Sequence, residues 1–255
     1  MPLQNRVNPW SEIAATPERY SEPFVVFGNR GCLHGEYRNI LRAYNGKMWL
    51  ACKLHVERTR KRQRDDNRAF NGRKRQLMTP RRYTELFFLD EPTALAAGHR
   101  PCACCRRKDF RLFMDAWSTA FPLEGDEKWA ASAVDAVLHS ERLSEDGEKR
   151  VFEAQLESLP EGTMVVLDEM PNHCWLYWQS ALHRWSHSGY VERNIDFAYN
   201  RAVKVLTPPS IVDTLRAGFQ CQSPPISAWP ADNAKNDLVA VPNATAAHGA
   251  FLNND

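Results

Sequence analysis

FFLDEPTALAAGHRPCACCRR, residues 87–107, is the most instructive stretch of this 255-residue chain. Phe87, Phe88 and Leu89 end a short strand predicted within YTELFFLDE (83–91). Asp90 and Glu91 suit the N-terminus of a helix, Pro92 its first turn, and Gly98 the position just past its end. Cys102 and Cys105 then form a C-x-x-C pair, a spacing that lets two thiolates grip one tetrahedral Zn²⁺ at about 2.3 Å each. Pro101 stiffens the entry, and the helix that follows starts on the second thiolate, where its dipole favours negative charge. Cys104 either lies outside the metal shell or replaces Cys105. A redox pair would need a βαβ context that the surrounding pattern lacks.

The same stretch resembles the second zinc-binding half of the Ada-type metal-binding domain. That half has an aromatic strand end, a short Ala-rich helix and then A-G-(aromatic)-R-P-C-x-x-C. Ala94, Leu95, Ala96, Ala97, Gly98, Arg100, Pro101, Cys102 and Cys105 fall into the pattern. The resemblance implies a small sheet with helices around a four-cysteine zinc. In that family one cysteine accepts methyl groups from damaged DNA phosphates, and related copies in nucleases serve as plain zinc modules. The family's upstream C-x-x-x-C, which includes the methyl acceptor, has no counterpart here. The upstream candidates are Cys32, His34, Cys52 and His55. Cys52 and His55 would face opposite sides of a regular strand. The expected ligands are therefore Cys102, Cys105, Cys52 and either Cys32 or His34.

A rival reading uses some of the same residues. His34-Gly35-Glu36 followed by Pro101-Cys102-Ala103-Cys104-Cys105 satisfies the H-x-E…P-C-x-x-C signature of zinc deaminases. There His34, Cys102 and Cys105 would bind zinc, and Glu36 would be the catalytic proton shuttle. Against it, the H-x-E should open a helix, and a strand should lead straight into the P-C-x-x-C.

Upstream, residues 1–22 form a polar lead-in and 24–56 read as strands. Asn45-Gly46 between apolar-rich runs signals a type I′ hairpin that would pair Tyr44 with Lys47, Arg42 with Trp49 and Asn39 with Cys52. A helix over Gly35–Tyr44 competes, since Tyr37, Ile40, Leu41 and Tyr44 fall at helical spacing. Downstream, Phe110, Phe113, Met114 and Trp117 make the apolar stripe of a helix over 105–120, and helices are expected over 126–143 and 147–159. After Pro160 the pieces MVVLDE, CWLYW, ALHRW and VKVL read as strands, followed by a short helix in PPSIVDTLRAGF. The expected layout is α+β: a zinc-binding module over 23–120, a helical connector over 121–160, a small β-rich unit over 161–221, and a disordered tail over 222–255.

Charge is unevenly spread. Lys53 to Arg82 holds twelve Lys/Arg against Glu57, Asp65 and Asp66, a local net charge of +9 inside a chain of net +2. The arm 57–82 lacks apolar periodicity and suits phosphate contact, since each neutralised phosphate releases counterions. Its candidate nucleic-acid contacts are Arg58, Arg60, Lys61, Arg62, Arg64, Arg73, Lys74, Arg75, Arg81 and Arg82, joined by Arg106 and Arg107 beside the cysteines. DNA or RNA is the expected partner, with an acidic protein as the alternative; oligomeric state has no signature. No secretory pattern and no membrane-length apolar run occurs, so a cytoplasmic chain with reduced thiols is expected. His173, Cys174, His183 and His187 sit in an aromatic-rich region that reads as core. No phosphate-binding loop, nucleophile elbow or H-E-x-x-H is present, which removes P-loop NTPases, α/β-hydrolases and zincins. Taken together, the sequence predicts a zinc-containing nucleic-acid-binding protein, in DNA repair or processing, with a structural zinc.

Overall fold

The computed structural model describes residues 4–16, 26–54, 78–224 and 226. Contacts divide the chain after Pro225, and the architecture below is that of Met1–Pro225. Among the described residues, two six-stranded sheets dominate, with four α-helices.

The first sheet contains β1 (Gln4–Val7), β2 (Ile13–Thr16), β3 (Val26–Asn29), β4 (Leu50–Lys53), β5 (Leu86–Phe88) and β6 (Arg100–Pro101), in the order β2-β1-β5-β3-β4-β6. Strand β3 runs antiparallel to both β4 and β5, whereas β6 joins β4 in parallel. Alternation along the strands separates two faces. Val26, Ala51, Leu86 and Phe88 pack with Ala94 and Ala97 of the α1 region (helix α1, Glu91–Ala96). Phe27, Phe87 and Cys52 belong to a separate cluster that also holds Cys102.

Helix α1 begins and ends where the sequence says it should. The Asp90 carboxylate accepts from the Thr93 backbone N–H at 2.8 Å, and Gly98 follows the last turn with φ +84°. Helices α2 (Arg107–Ala120), α3 (Ala131–Arg142) and α4 (Pro209–Arg216) enclose Phe113, Trp117, Val134, Leu138, Ile211 and Leu215 in one core.

The second sheet contains β7 (Phe152–Gln155), β8 (Thr163–Leu167), β9 (Met170–Trp178), β10 (Ala181–Ser186), β11 (Gly189–Asn194) and β12 (Ala202–Val205), ordered β11-β10-β9-β8-β12-β7. All its neighbours are antiparallel.

The expected layout is corrected here. A small helix-flanked module, a helical connector and a small β unit do not describe this chain, because strands carry both halves. The helix expected over 147–159 is the edge strand β7 followed by a 3₁₀ turn at Leu156–Ser158. Phe152, Ala154 and Leu156 recur with a period of two, and that alternation wins. The Asn45-Gly46 hairpin is also absent. Cys52 pairs with Phe27, not Asn39. A type I′ turn needs positive φ at both central residues, and of the two only Gly46 has it, at +98°. The competing helix over 35–44 does not form either: a turn from Gly35 closes on Asn39, and His34 bridges Ile40.

Candidate metal centre

Three thiols converge on the face of the first sheet that carries Phe27 and Phe87, opposite the one packed against α1. The Sγ atoms of Cys52, Cys102 and Cys105 lie within 4.8 Å of one another. Tetrahedral coordination at a Zn–S distance of about 2.3 Å separates sulfurs by roughly 3.8 Å, so this spacing fits one metal ion. Three local features build the site. Strand β4 turns Cys52 away from Ala51, onto the face shared with Phe27 and Phe87. The parallel pairing of β6 with β4 brings the C-x-x-C alongside, and the Cys102 N–H donates to the Ala51 carbonyl at 2.9 Å. Helix α2 then starts directly behind Cys105. Its first-turn anchor is Arg106, whose N–H donates to the Cys102 carbonyl at 3.0 Å.

The thiols do not share one acidity. Cys102 is the readiest thiolate: the Cys105 and Cys52 thiols donate to it, and the backbone N–H groups of Cys105 and Cys104 point at its sulfur, which lowers its pKa despite burial. Cys52 is pushed up, first by its hydrogen bonds to Cys102 and Cys105 and then by burial. Cys105 is raised by Cys102, against the help of the Cys52 thiol and of the Lys53 N–H that donates to its sulfur at 3.4 Å. One negative charge is easy to form here, and further charge needs a cation. A metal ion is the cation that such a donor set fits.

The other expected ligands lie apart. Cys32 donates weakly to the His34 carbonyl at 3.8 Å. His34 has both ring nitrogens engaged, Nδ1 with the Thr84 hydroxyl at 2.6 Å and Nε2 with the Thr79 carbonyl at 3.2 Å. Neither joins the thiols among the described residues. Glu36 is exposed in the turn after His34, not on a helix, so the deaminase geometry is not assembled. His55 lies outside the described residues. Cys104 is exposed beside the cluster; Cys174 is buried in β9 and Cys221 in the helical core.

Of the candidate nucleic-acid contacts, Arg58, Arg60, Lys61, Arg62, Arg64, Arg73, Lys74 and Arg75 lie outside the described residues. Arg81, Arg82 and Arg107 are exposed. Arg106 is a correction: it is 3% exposed and pairs with Glu91 at 2.6 Å and Asp109 at 2.8 Å. A guanidinium committed to two carboxylates in the interior is a structural tie, not a phosphate contact. Not singled out by sequence reading were Leu54 and Tyr83, which pack against the cysteine cluster. Leu54 directly follows β4, and Tyr83 lies shortly before β5, so the two flank the basic segment.

No helix among the described residues is long and apolar enough to cross a membrane. The chain matches no protein-family model, no curated protein and no solved structure.

Proposed function

We propose that the protein is a zinc-containing nucleic-acid-binding protein in which the zinc is structural. The observation that carries the proposal is the junction of thiols and charge. Cys52, Cys102 and Cys105 gather on one sheet face, and Leu54 and Tyr83, near the two ends of the Lys53–Arg82 segment, pack against that cluster. Zinc suits a soft, thiolate-rich tetrahedral donor set. Holding it there would fix both ends of a segment of net charge +9 and present Lys53, Arg81, Arg82 and Arg107, all exposed, beside it. The resemblance of 87–107 to the Ada-type domain supports the same reading through Cys102 and Cys105. Methyl transfer is not part of the proposal, because the acceptor half of that pattern is missing.

A second reading has one observation in its favour. Among the described residues three thiols converge, and a zinc held by three protein ligands and a water is a catalytic site rather than a closed one. X-ray absorption on the purified protein separates the two. Four protein donors support the structural site; three sulfurs plus a water oxygen support an enzyme. Fluorescence anisotropy with duplex DNA and single-stranded RNA tests the other half, and no affinity for either at low salt would refute it.

A further inference from the structure

Residues 36–48, in the connection from β3 to β4, are exposed at every position but Ile40, yet their backbone is tied down. The Leu41 N–H donates to the Leu33 carbonyl and the Asn45 N–H to that of Arg30, both at 2.8 Å. Three fully buried side chains hold the rest from beneath. Arg30 Nη1 donates to the Ala43 carbonyl at 3.4 Å, Trp49 Nε1 to that of Gly46 at 3.2 Å, and Arg142 Nη1 to that of Lys47 at 2.6 Å. Ile40 packs against the core that contains Leu33 and Ala51.

What this fastened loop shows to solvent is apolar and cationic. Tyr37 is 93% exposed, Leu41 60%, Met48 56% and Tyr44 39%. Eleven large apolar side chains are exposed among the described residues, and these four of them fall within twelve positions. One exposed apolar group needs no explanation, whereas a cluster on a held loop marks a surface that meets a partner. Arg38, Arg42 and Lys47 are exposed between them, and Glu36 is the only acidic residue from 31 to 48. Further cations adjoin the base of the loop. His34 reaches the Thr84 hydroxyl at 2.6 Å and the Thr79 carbonyl at 3.2 Å, and Thr79 opens the turn that carries the exposed Arg81 and Arg82. Five cations against one carboxylate favour a polyanion over an apolar protein surface.

We infer that the 36–48 loop is a stacking platform for single-stranded nucleic acid, in which the Tyr37 ring takes an unpaired base and Arg38, Arg42, Arg81 and Arg82 meet the phosphates. An aromatic face among cations suits this polymer, whose bases are free to stack on it. A duplex hides its base faces, and the loop is neither a helix nor a ribbon that could enter a groove. The buried Arg30, Trp49 and Arg142 hold the loop ready, so that little ordering is left for the moment of binding. This inference rests on the nucleic-acid reading above and adds to it the strandedness of the partner and the surface that selects it.

The experiment titrates the metal-loaded full chain into labelled oligothymidylate, oligouridylate and a duplex of equal length, followed by fluorescence anisotropy. Wild type should favour the single strands over the duplex. Tyr37→Ala should weaken single-strand binding about fivefold or more, the loss of one stacked base, while Tyr37→Phe keeps it. Duplex binding, metal content and melting temperature should stay put in both, because the side chain is exposed. Arg42→Gln should lower the single-strand salt slope by about 0.7, one phosphate contact. Wild type with no affinity for any of the three probes defeats the nucleic-acid reading and this inference with it. Wild type that binds but prefers duplex, or Tyr37→Ala that binds single strands as wild type does, overturns the platform alone and leaves the affinity to the basic segment. Self-association in sedimentation that Tyr37→Ala abolishes would give the loop to a second copy of this chain instead.

Discussion

Arg106 and Glu91 meet at 2.6 Å with both side chains almost wholly buried. Arg106 follows the second cysteine of the C-x-x-C, and Glu91 opens α1, so this pair fastens the metal-binding loop to the helix beneath it. The other Glu91 oxygen accepts from the Gln222 N–H at 2.7 Å. Glu91→Ala would strand a buried guanidinium with only the half-exposed Asp109. A loss of about 3–5 kcal/mol is expected, the usual cost of breaking one side of a buried pair. Urea unfolding measures it, and a loss under 1 kcal/mol (about the value of a surface pair) would show that the tie is not structural.

The purified protein should hold about one zinc per chain. Cys52→Ser, Cys102→Ser and Cys105→Ser should each lose the metal and lower the melting temperature. Cys174→Ser and Cys32→Ser should keep it, because those thiols lie outside the cluster. Atomic absorption on the five variants checks this. Retention of metal in Cys52→Ser would remove β4 from the site.

Acid should weaken the fold through His99. Its ring is fully buried, its Nε2 accepts from Arg30 Nε at 3.1 Å, and burial followed by the Arg30 and Arg142 charges drives its pKa well below the ordinary value. A histidine with a depressed folded pKa binds its proton only on unfolding. Stability should therefore be constant above about pH 6.5 and fall below it, by up to about 1.4 kcal/mol per pH unit from this one group. Unfolding at several pH values gives the slope. Ring resonances of His99 should stay those of a neutral imidazole at pH 5.5, and an imidazolium there would contradict the assignment.

Gly98 is required twice over. Its φ is +84°, and a Cβ at that position would lie 2.6 Å from Cγ of Arg142. Gly98→Ala should cost about 1–2 kcal/mol for the left-handed backbone alone, with a further loss as the Arg142 stem is displaced. A variant as stable as the parent would mean that both the turn and the arginine can shift freely.

What could be read beforehand follows the range of the interactions. Residues 87–107 were legible because cap, glycine and C-x-x-C act within a few positions. Cys52 was legible as a strand cysteine, but its neighbour was not: β3 rather than a local hairpin supplies Phe27, a pairing fixed by sheet assembly. Among the described residues the two-residue turn with positive φ at both positions is Gln179-Ser180, at +48° and +53°; the break between CWLYW and ALHRW was legible there, its left-handed backbone was not. His34 looked available until Thr84, fifty residues away, took its ring. The cations around Trp49, Arg30, Arg142 and Lys149, come from distant stretches, and no local spacing announces such a gathering. Strand β7 is the one miss that the sequence could have prevented, since its alternation was visible.

The basic segment provides the last expectation. Arg60, Lys61, Arg62 and Arg64 lie in a stretch of net +9 with no apolar periodicity to give it a core of its own. Such a segment supplies phosphate contacts, whereas reading base edges requires a helix or ribbon set into a groove. Neutralising these four residues together should weaken nucleic-acid binding equally across sequences. The slope of log affinity against log salt should fall by up to about four, roughly one for each lost contact. Metal content and melting temperature should not move, because the thiols and the Glu91–Arg106 tie are untouched. Anisotropy titrations at several salt concentrations provide the measurement. An unchanged slope would assign the affinity to Arg81, Arg82, Arg107 and the sheet face; a sequence-dependent loss would mean that the segment reads bases after all.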